Sequence, residues 1–270
     1  MLNIVIALAE EARPVIQHFR LKRYHHVHPF QVYGNEQIQL IVSGIGKMAS
    51  ATATAFLAGL DNSNNTSAWL NLGIAGSGKA AVGDFVLAHQ IIDAANNQRF
   101  YPAICFEFDA PSVSVVSVDE AQKQYQADAV YDMEASGFFS AAMRFGTVEL
   151  IHCAKIISDN TEQPIENISR NEVLQWVEDN LQKVECLVSQ LLDIVVSLDA
   201  DNKGKKEYEF LLDKYHLTSS QQTQLKSLLQ SWYTLSDASV LELVQGREIP
   251  NTKALLRLLE TKINAAPLSF

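Results

Sequence analysis

Hydrophobic positions in the first two thirds of the chain form short runs of strand length, and stretches with helical spacing lie between them. Apolar and β-branched runs predict strands over 2–9, 37–43, 68–72, 82–92 and 112–118. A turn into a helix is predicted over 10–16, and an Ala- and Thr-rich helix over 48–60. Strands that alternate with helices favour a largely parallel sheet covered on both faces.

The last third of the chain carries only helical patterns. Ser169 is typical of an N-cap, and the apolar spacing after it predicts one amphipathic helix that closes the main domain near residue 192. The polar stretch 199–206 predicts a linker. Further helices are expected after Thr218, from Ser236 to Gly246 and after Asn251. The predicted division is an α/β domain over 1–198, with a linker and helical C-terminal extension over 199–270.

Two predicted strands end in acidic side chains. A short strand-like segment at 130–131 leads into Asp132, Met133 and Glu134, after which a helix of small and aromatic residues begins. About twenty residues later, an apolar run delivers Ser158 and Asp159 in the same way. In α/β folds the carboxyl ends of strands face the cleft that binds ligands. Two acidic strand ends therefore suggest a single site.

Composition narrows the class of protein. With 270 residues, 47% of them hydrophobic, the chain can bury one large core and a small appendage. Neither a membrane-length apolar run nor a basic N-terminal region is present, so we expect a cytoplasmic protein. The three cysteines have no metal-ligand spacing and are expected to be reduced. Three histidines at 25, 26 and 28 indicate a solvated loop and not a zinc site.

The net charge of −10 lies in the main domain, because residues 199–270 hold nine acids and nine bases. Contacts to a nucleic-acid backbone require clustered Lys and Arg side chains. Nucleic acid is therefore not an expected partner, and neither is a membrane. A small-molecule substrate fits the acidic domain better.

The segment 73–80 matches the phosphate-binding pattern G-x-x-x-x-G-K but fails it in two places. Ala80 stands where a magnesium-binding Ser or Thr is needed, and a new strand begins at Val82 where the helix should start. The segment instead predicts a glycine turn at which the backbone passes close to a neighbour. If that neighbour is a ligand, bare backbone N–H groups can bind it.

Four motifs in order resemble the nucleoside phosphorylase and nucleosidase superfamily, most closely its methylthioadenosine/S-adenosylhomocysteine and futalosine nucleosidases. They are the opening strand with Glu10 and Glu11, the turn 71–76 followed by 82–84, the motif 132–135, and the motif 157–159. The resemblance covers about residues 1–198. It implies a three-layer α/β/α sandwich around a mixed, mostly parallel sheet, and a homodimer.

The resemblance also implies hydrolysis of the N-ribosidic bond of a nucleoside, with a purine nucleoside or a 5′-thionucleoside as the expected substrate and with no cofactor and no metal. It implies that Asp159 is the general acid at the base and that Glu11 activates the attacking water, with Glu10 as a solvated neighbour. Glu134 would bind the ribose hydroxyls and Met133 would pack against the sugar. Ser158, Ala75 and Gly76 are the remaining expected substrate contacts, although Ser158 is equally compatible with a capping role.

Two alternatives stay open. Phosphorolysis needs cationic and hydroxyl groups that bind phosphate, and the turn offers Asn71 and Ile74 instead. Arg13 and Lys47 lie close to the motifs in the sequence, so phosphorolysis remains an alternative. A binding protein without turnover is favoured by the extra helical tail and by a short segment between residues 84 and 117. Just after that segment, Ala121 falls near the position where relatives place an aromatic side chain for the base. The candidates to replace it are Phe100, Tyr101, Phe106 and Phe108.

Overall fold

The computed structural model describes residues 1–25, 29–60, 66–122, 125, 129–236, 238–244, 247 and 249–265, without the side chains of 167, 199–203 and 234. The chain divides into two compact units, Met1–Val195 and Val196–Phe270. No helix within the described ranges is long and apolar enough to cross a membrane.

The first unit is built on a ten-stranded sheet. Its strands in chain order are β1 Leu2–Ile6, β2 Lys22–Arg23, β3 Gln31–Gly34, β4 Ile38–Val42, β5 Ala68–Ser77, β6 Phe85–Asp93, β7 Arg99–Phe100, β8 Ser112–Ser117, β9 Ala129–Asp132 and β10 Ile151–Asp159. Parallel pairs join β1 to β4 and β5, β5 to β10, and β8 to β6 and β9, whereas the remaining pairs are antiparallel. The expected mixed sheet is confirmed.

Five of these strands close into a ring. The strand β10 pairs with both β5 and β6, and β9 pairs with both β8 and β5. The ring closes at Gly76 of β5, which lies opposite Tyr131 of β9 and Asp159 of β10. This closure brings the carboxyl ends of three distant strands to one place, which is what the acidic strand ends in the sequence suggested.

Helices cover both faces of the sheet, as expected for the α/β/α sandwich. The helices of this unit are α1 Ala9–His18, α2 Lys47–Leu60, α3 Ala135–Ala142, α4 Arg170–Asp179 and the first part of α5 Leu181–Lys214. On one face, α2 and α3 pack against Val5, Ile41 and Val115 in a single buried cluster. Side chains alternate across a strand, so neighbouring positions such as Ile4 and Leu40 serve the opposite face, where α1 and α4 pack against each other.

Two predicted boundaries in this unit are wrong. The predicted glycine turn after Leu72 is extended backbone, because β5 continues to Ser77. The missing side chain of Gly73 instead admits a neighbour, since a Cβ there would lie 3.3 Å from Glu11 Oε1. The single amphipathic helix predicted after Ser169 is two helices, broken at Asn180, whose amide donates to the carbonyl of Gly83 over 3.0 Å. The Ser169 cap itself is present, with Glu172 completing a capping box.

The second unit is helical, as the sequence predicted. It contains the end of α5 together with α6 Ser219–Leu235, α7 Val240–Val244 and α8 Thr252–Asn264. Thr218 and Asn251 are the N-caps of α6 and α8. The core is a cluster of buried side chains: Leu211, Leu225, Leu229, Trp232, Tyr233, Val240, Val244, Leu255, Leu256 and Leu259.

Two predictions for this unit are wrong. Residues 199–206, predicted to be a linker, lie within α5. Ala200 and the three lysines of this stretch are good helix formers, and the one internal Gly204 costs only about 1 kcal/mol, so a polar composition does not prevent a helix. The helix predicted from Ser236 begins at Val240, because Ser236 is the C-cap of α6. Gly246, its predicted end, lies outside the described residues, as do His26 and His28.

Candidate active site

The closure of the strand ring at Gly76 creates a cavity of about 170 Å³ at the carboxyl ends of β1, β5, β9 and β10. All seven residues that the resemblance assigned to the site line this cavity: Glu11, Ala75, Gly76, Met133, Glu134, Ser158 and Asp159. The structure therefore brings together residues that lie up to 148 positions apart (Glu11 and Asp159).

Asp159 ends β10 and is almost fully buried. Its Oδ1 accepts a hydrogen bond of 2.5 Å from the hydroxyl of Ser158, whose oxygen also lies 3.3 Å from the carbonyl oxygen of Ala75. Its Oδ2 accepts from the hydroxyl of Tyr125. Ser158 is therefore a partner of the carboxylate, and the capping role considered from the sequence does not describe it.

Glu11 lies in the first turn of α1 and is 2% exposed. Its two carboxylate oxygens accept backbone hydrogen bonds of 2.9 Å, one from Leu8 and one from Ile74. Burial raises the pKa of Glu11 to about 7, although the two backbone donors and the Lys155 ammonium act in the opposite direction. A carboxylate with such a pKa can exchange a proton near neutral pH. Glu10, its neighbour in sequence, instead pairs with Arg170 over 3.4 Å.

Glu134 immediately precedes α3 and is 7% exposed. Its Oε1 accepts a 2.8 Å hydrogen bond from the backbone N–H of Gly46, a glycine with a φ of 104° that L-residues rarely adopt. Burial raises the pKa of Glu134 and the nearby Asp132 raises it further, whereas Lys155 lowers it. The carboxylate of Glu134 is thus held in place at the cavity wall, beside Met133.

Lys155 is a residue of this region that the sequence analysis missed. Its side chain is buried on β10, and Nζ lies 2.8 Å from Asp132 Oδ2. A Cβ at Gly73 would lie 3.6 Å from this Nζ and 3.3 Å from Glu11 Oε1, so the ammonium and Glu11 approach the same glycine. The signal was available, since a lone Lys inside the apolar run 150–157 is costly to bury without an anionic partner.

The aromatic residues of the cavity are also different from those considered from the sequence. Tyr125 and Tyr131 line it, with ring centroids 5.6 Å apart, next to Ala121 and Gln122. The four aromatic candidates, all within the described ranges, lie elsewhere. Phe100 packs on Phe139, Phe108 on Phe85 and Phe106 on His152, and Tyr101 is exposed. Tyr125 lies in a polar stretch with no periodicity, so no pattern in the sequence marks it as a site residue.

The cations considered for a phosphate do not line the cavity. Arg13 is exposed on α1, and Lys47 is paired with Asp93 and Asp119 over 3.0 and 2.8 Å. Among the described lining residues there is no Lys or Arg. Asn71 is buried and donates to the carbonyl of Val5. No group of three or more His, Cys, Asp or Glu within the described ranges could hold a metal ion.

Comparisons with known proteins place this fold among nucleosidases. No protein-family model and no curated protein sequence matches the chain. Among solved structures, it is similar to 5′-methylthioadenosine nucleosidase from Arabidopsis thaliana, with a TM-score of 0.55 and 15% identity over 72% of this chain and 95% of that one. It is also similar to 5′-methylthioadenosine/S-adenosylhomocysteine nucleosidase from S. pneumoniae, with a TM-score of 0.54 and 20% identity over 71% and 98% of the two chains.

A third similar structure is the corresponding nucleosidase from Colwellia psychrerythraea in complex with adenine, with a TM-score of 0.55 and 19% identity over 72% and 95% of the chains. The chain therefore has the nucleoside phosphorylase/nucleosidase fold. This confirms the resemblance inferred from the four motifs.

Proposed function

We propose that this protein hydrolyses the N-ribosidic bond of a nucleoside. The observation that carries this proposal is the convergence of Glu11, Glu134 and Asp159 on one cavity, each held by its own hydrogen bonds at the end of a different strand or helix. The shared fold with nucleosidases supports it.

Asp159 is proposed to be the general acid. Breaking the bond between the sugar and the base leaves negative charge on the base, and proton donation from a positioned carboxyl group lets the base leave neutral. This step requires Asp159 to be protonated when the substrate is bound, with the proton on Oδ2, the oxygen to which Tyr125 donates in the free protein. The proton passes from Oδ2 to a ring nitrogen of the base, and the carboxylate remains in the cavity, with Ser158 donating to its Oδ1.

Glu11 is proposed to activate the attacking water. Its pKa of about 7 leaves it about half ionised at neutral pH, and in this form it accepts a proton from water as the bond forms at the sugar carbon. The hydroxide oxygen ends on the sugar and the proton on Glu11. The carboxyl group is held in one orientation by two backbone donors, which suits a base acting at a fixed position.

Glu134 is proposed to bind the ribose hydroxyls. One of its oxygens is fixed by Gly46, and the other can accept from the sugar. A carboxylate near the sugar also stabilises the positive charge that develops as the base departs. Met133 offers an apolar contact to the sugar from the adjacent position in the cavity wall.

For the substrate we propose a purine nucleoside or 5′-thionucleoside. One similar structure holds adenine and another, from Helicobacter pylori, holds 5′-methylthioadenosine in its active site. We also propose that the protein acts as a homodimer. Ile45, which lines the cavity, and Met48, three residues later, are 58% and 81% exposed, and a second copy could cover these apolar side chains.

The direct test is chromatography of the bases released from adenosine, inosine, methylthioadenosine, S-adenosylhomocysteine and futalosine, with and without phosphate. We expect release of a base from at least one of these without phosphate. No release from any of them would contradict the proposed reaction and favour a protein that binds nucleosides without turnover.

A further inference from the structure

Both carboxylate oxygens of Asp159 already have donors in the structure. The Ser158 hydroxyl, itself buried, donates to Oδ1, and the Tyr125 hydroxyl donates to Oδ2. Ser158 precedes Asp159 on the same buried strand, and its hydroxyl oxygen lies 3.3 Å from the carbonyl oxygen of Ala75, so its position is fixed by the strands. The oxygen left to face a ligand is therefore Oδ2, and the Tyr125 hydroxyl occupies the position from which a ligand would reach it.

The Tyr125 hydroxyl lies in a narrow space next to Gly76. A Cβ at Gly76 would lie 2.5 Å from the Tyr125 hydroxyl oxygen and 2.7 Å from Asp159 Oδ2. The side chain thus reaches the closure point of the strand ring, where only a glycine leaves room. Its ring lies beside that of Tyr131, and both rings line the cavity.

We propose that Tyr125 is the positioning residue for the base: its hydroxyl holds Asp159 Oδ2 until the base displaces it, and its ring then forms one wall of the base pocket. This inference rests on the proposed function. A planar heteroaromatic base with a ring nitrogen can share a proton with Oδ2, and the displaced tyrosine offers it an aromatic face. The displacement breaks one hydrogen bond and forms another, and no covalent bond of Tyr125 changes.

The two parts of the side chain have opposite effects on affinity. The hydroxyl competes with the base for Oδ2, so its removal in Tyr125→Phe should strengthen base binding about threefold to tenfold, the value of one hydrogen bond. The ring supplies stacking, so its removal in Tyr125→Ala should weaken base binding about tenfold to hundredfold. The effect of Tyr125→Phe on the reaction should appear in KM, since the hydroxyl is displaced before the bond breaks.

The experiment measures the binding of adenine by calorimetry, and kcat and KM for whichever nucleoside of the panel above releases a base, in wild type, Tyr125→Phe and Tyr125→Ala. Tyr101→Phe is the matched control, because the Tyr101 hydroxyl accepts from Gln90 outside the cavity. We expect tighter adenine binding and a lower KM in Tyr125→Phe, the reverse in Tyr125→Ala, and wild-type values in Tyr101→Phe.

Other outcomes separate this inference from the proposed function. Adenine binding that is the same in wild type and Tyr125→Phe would overturn the competition between hydroxyl and base. A large loss of kcat in Tyr125→Phe with unchanged affinity would make the hydroxyl a proton donor and overturn its displacement. Tighter adenine binding in Tyr125→Phe without base release by any variant would support Tyr125 as the base partner while the hydrolytic function fails. Base release by a wild type that binds no adenine would overturn the inference and leave the function standing.

Discussion

Lys155 Nζ lies 2.8 Å from Asp132 Oδ2, and both side chains are almost fully buried. Asp132 also accepts from the Ser117 hydroxyl over 2.6 Å and from the backbone N–H groups of Glu134 and Ala135, which begin α3. The pair therefore fixes the backbone of Glu134 while the ammonium offsets the charge of the surrounding carboxylates. Burial favours the neutral amine, but Asp132 outweighs it and keeps the pKa of Lys155 above its usual value.

Replacement of Lys155 by Met should destabilise the protein by about 3–5 kcal/mol, because the buried carboxylates of Asp132 and Glu134 would lose the cation that offsets their charge. The measurement is the free energy of unfolding from denaturant titration, with the exposed Lys183→Met on α5 as control. A loss below about 1 kcal/mol, as expected for a surface ion pair, would contradict this role of the buried cation.

Glu11 should give both activity and stability a dependence on pH. Its pKa is about 7 in the folded protein and near 4.5 when unfolded, so the folded state binds more protons between these values. The contribution of Glu11 to the free energy of unfolding is therefore fully present below about pH 4.5. It falls by roughly 3 kcal/mol as the pH rises through about 7. Base release should rise over the same range as the carboxylate becomes able to accept a proton.

The variant Glu11→Gln should remove this slope of stability with pH and reduce kcat about a hundredfold or more. The neighbouring Glu10→Gln is the matched control, since Glu10 pairs with Arg170 away from the cavity. Thermal unfolding and initial rates at several pH values measure both effects. An unchanged slope in Glu11→Gln would show that another group titrates in this range.

Phosphate should have little effect on the rate of base release. The described lining of the cavity contains four acidic side chains, Glu11, Asp132, Glu134 and Asp159, without a Lys or Arg among its members. A phosphate dianion would be repelled there, whereas water is neutral. The measurement compares release in phosphate with release in a non-phosphate buffer of equal ionic strength. A ribose 1-phosphate product would contradict hydrolysis.

The sequence predicted the features that a local pattern of residues marks. It did not predict the features that depend on how distant strands pair. The acids Glu134 and Asp159 could be found because each ends an apolar run. The glycines 73 and 76 were interpreted as a turn, because a sequence does not show that Glu11, Tyr125 and Asp159 approach them from elsewhere in the fold. Tyr125 could not be predicted for the same reason, since only its contact with Asp159, 34 positions away, distinguishes it.

In the helical unit, Glu207 is buried and accepts from the Ser239 hydroxyl over 2.5 Å and from the backbone N–H of Val240 over 3.0 Å. Glu207→Ala would remove the acceptor of the Ser239 hydroxyl and leave the Val240 N–H only a 3.4 Å contact to the Tyr233 hydroxyl, and should cost about 1–3 kcal/mol of stability. Base release should not change, because Glu207 has no part in the cavity. Hydrogen exchange of residues 238–244 measures the effect, with the exposed Glu209→Ala as control. Protection equal to wild type would contradict this role of Glu207.

We expect Asp159 to protonate the departing base. The rate of base release by Asp159→Asn, compared with wild type, tests this role. An amide cannot deliver the proton, so we predict a loss of about a hundredfold to ten-thousandfold in kcat, with substrate binding retained. The exposed Asp109→Asn serves as control and should keep the wild-type rate. A rate within about threefold of wild type in Asp159→Asn would contradict the account.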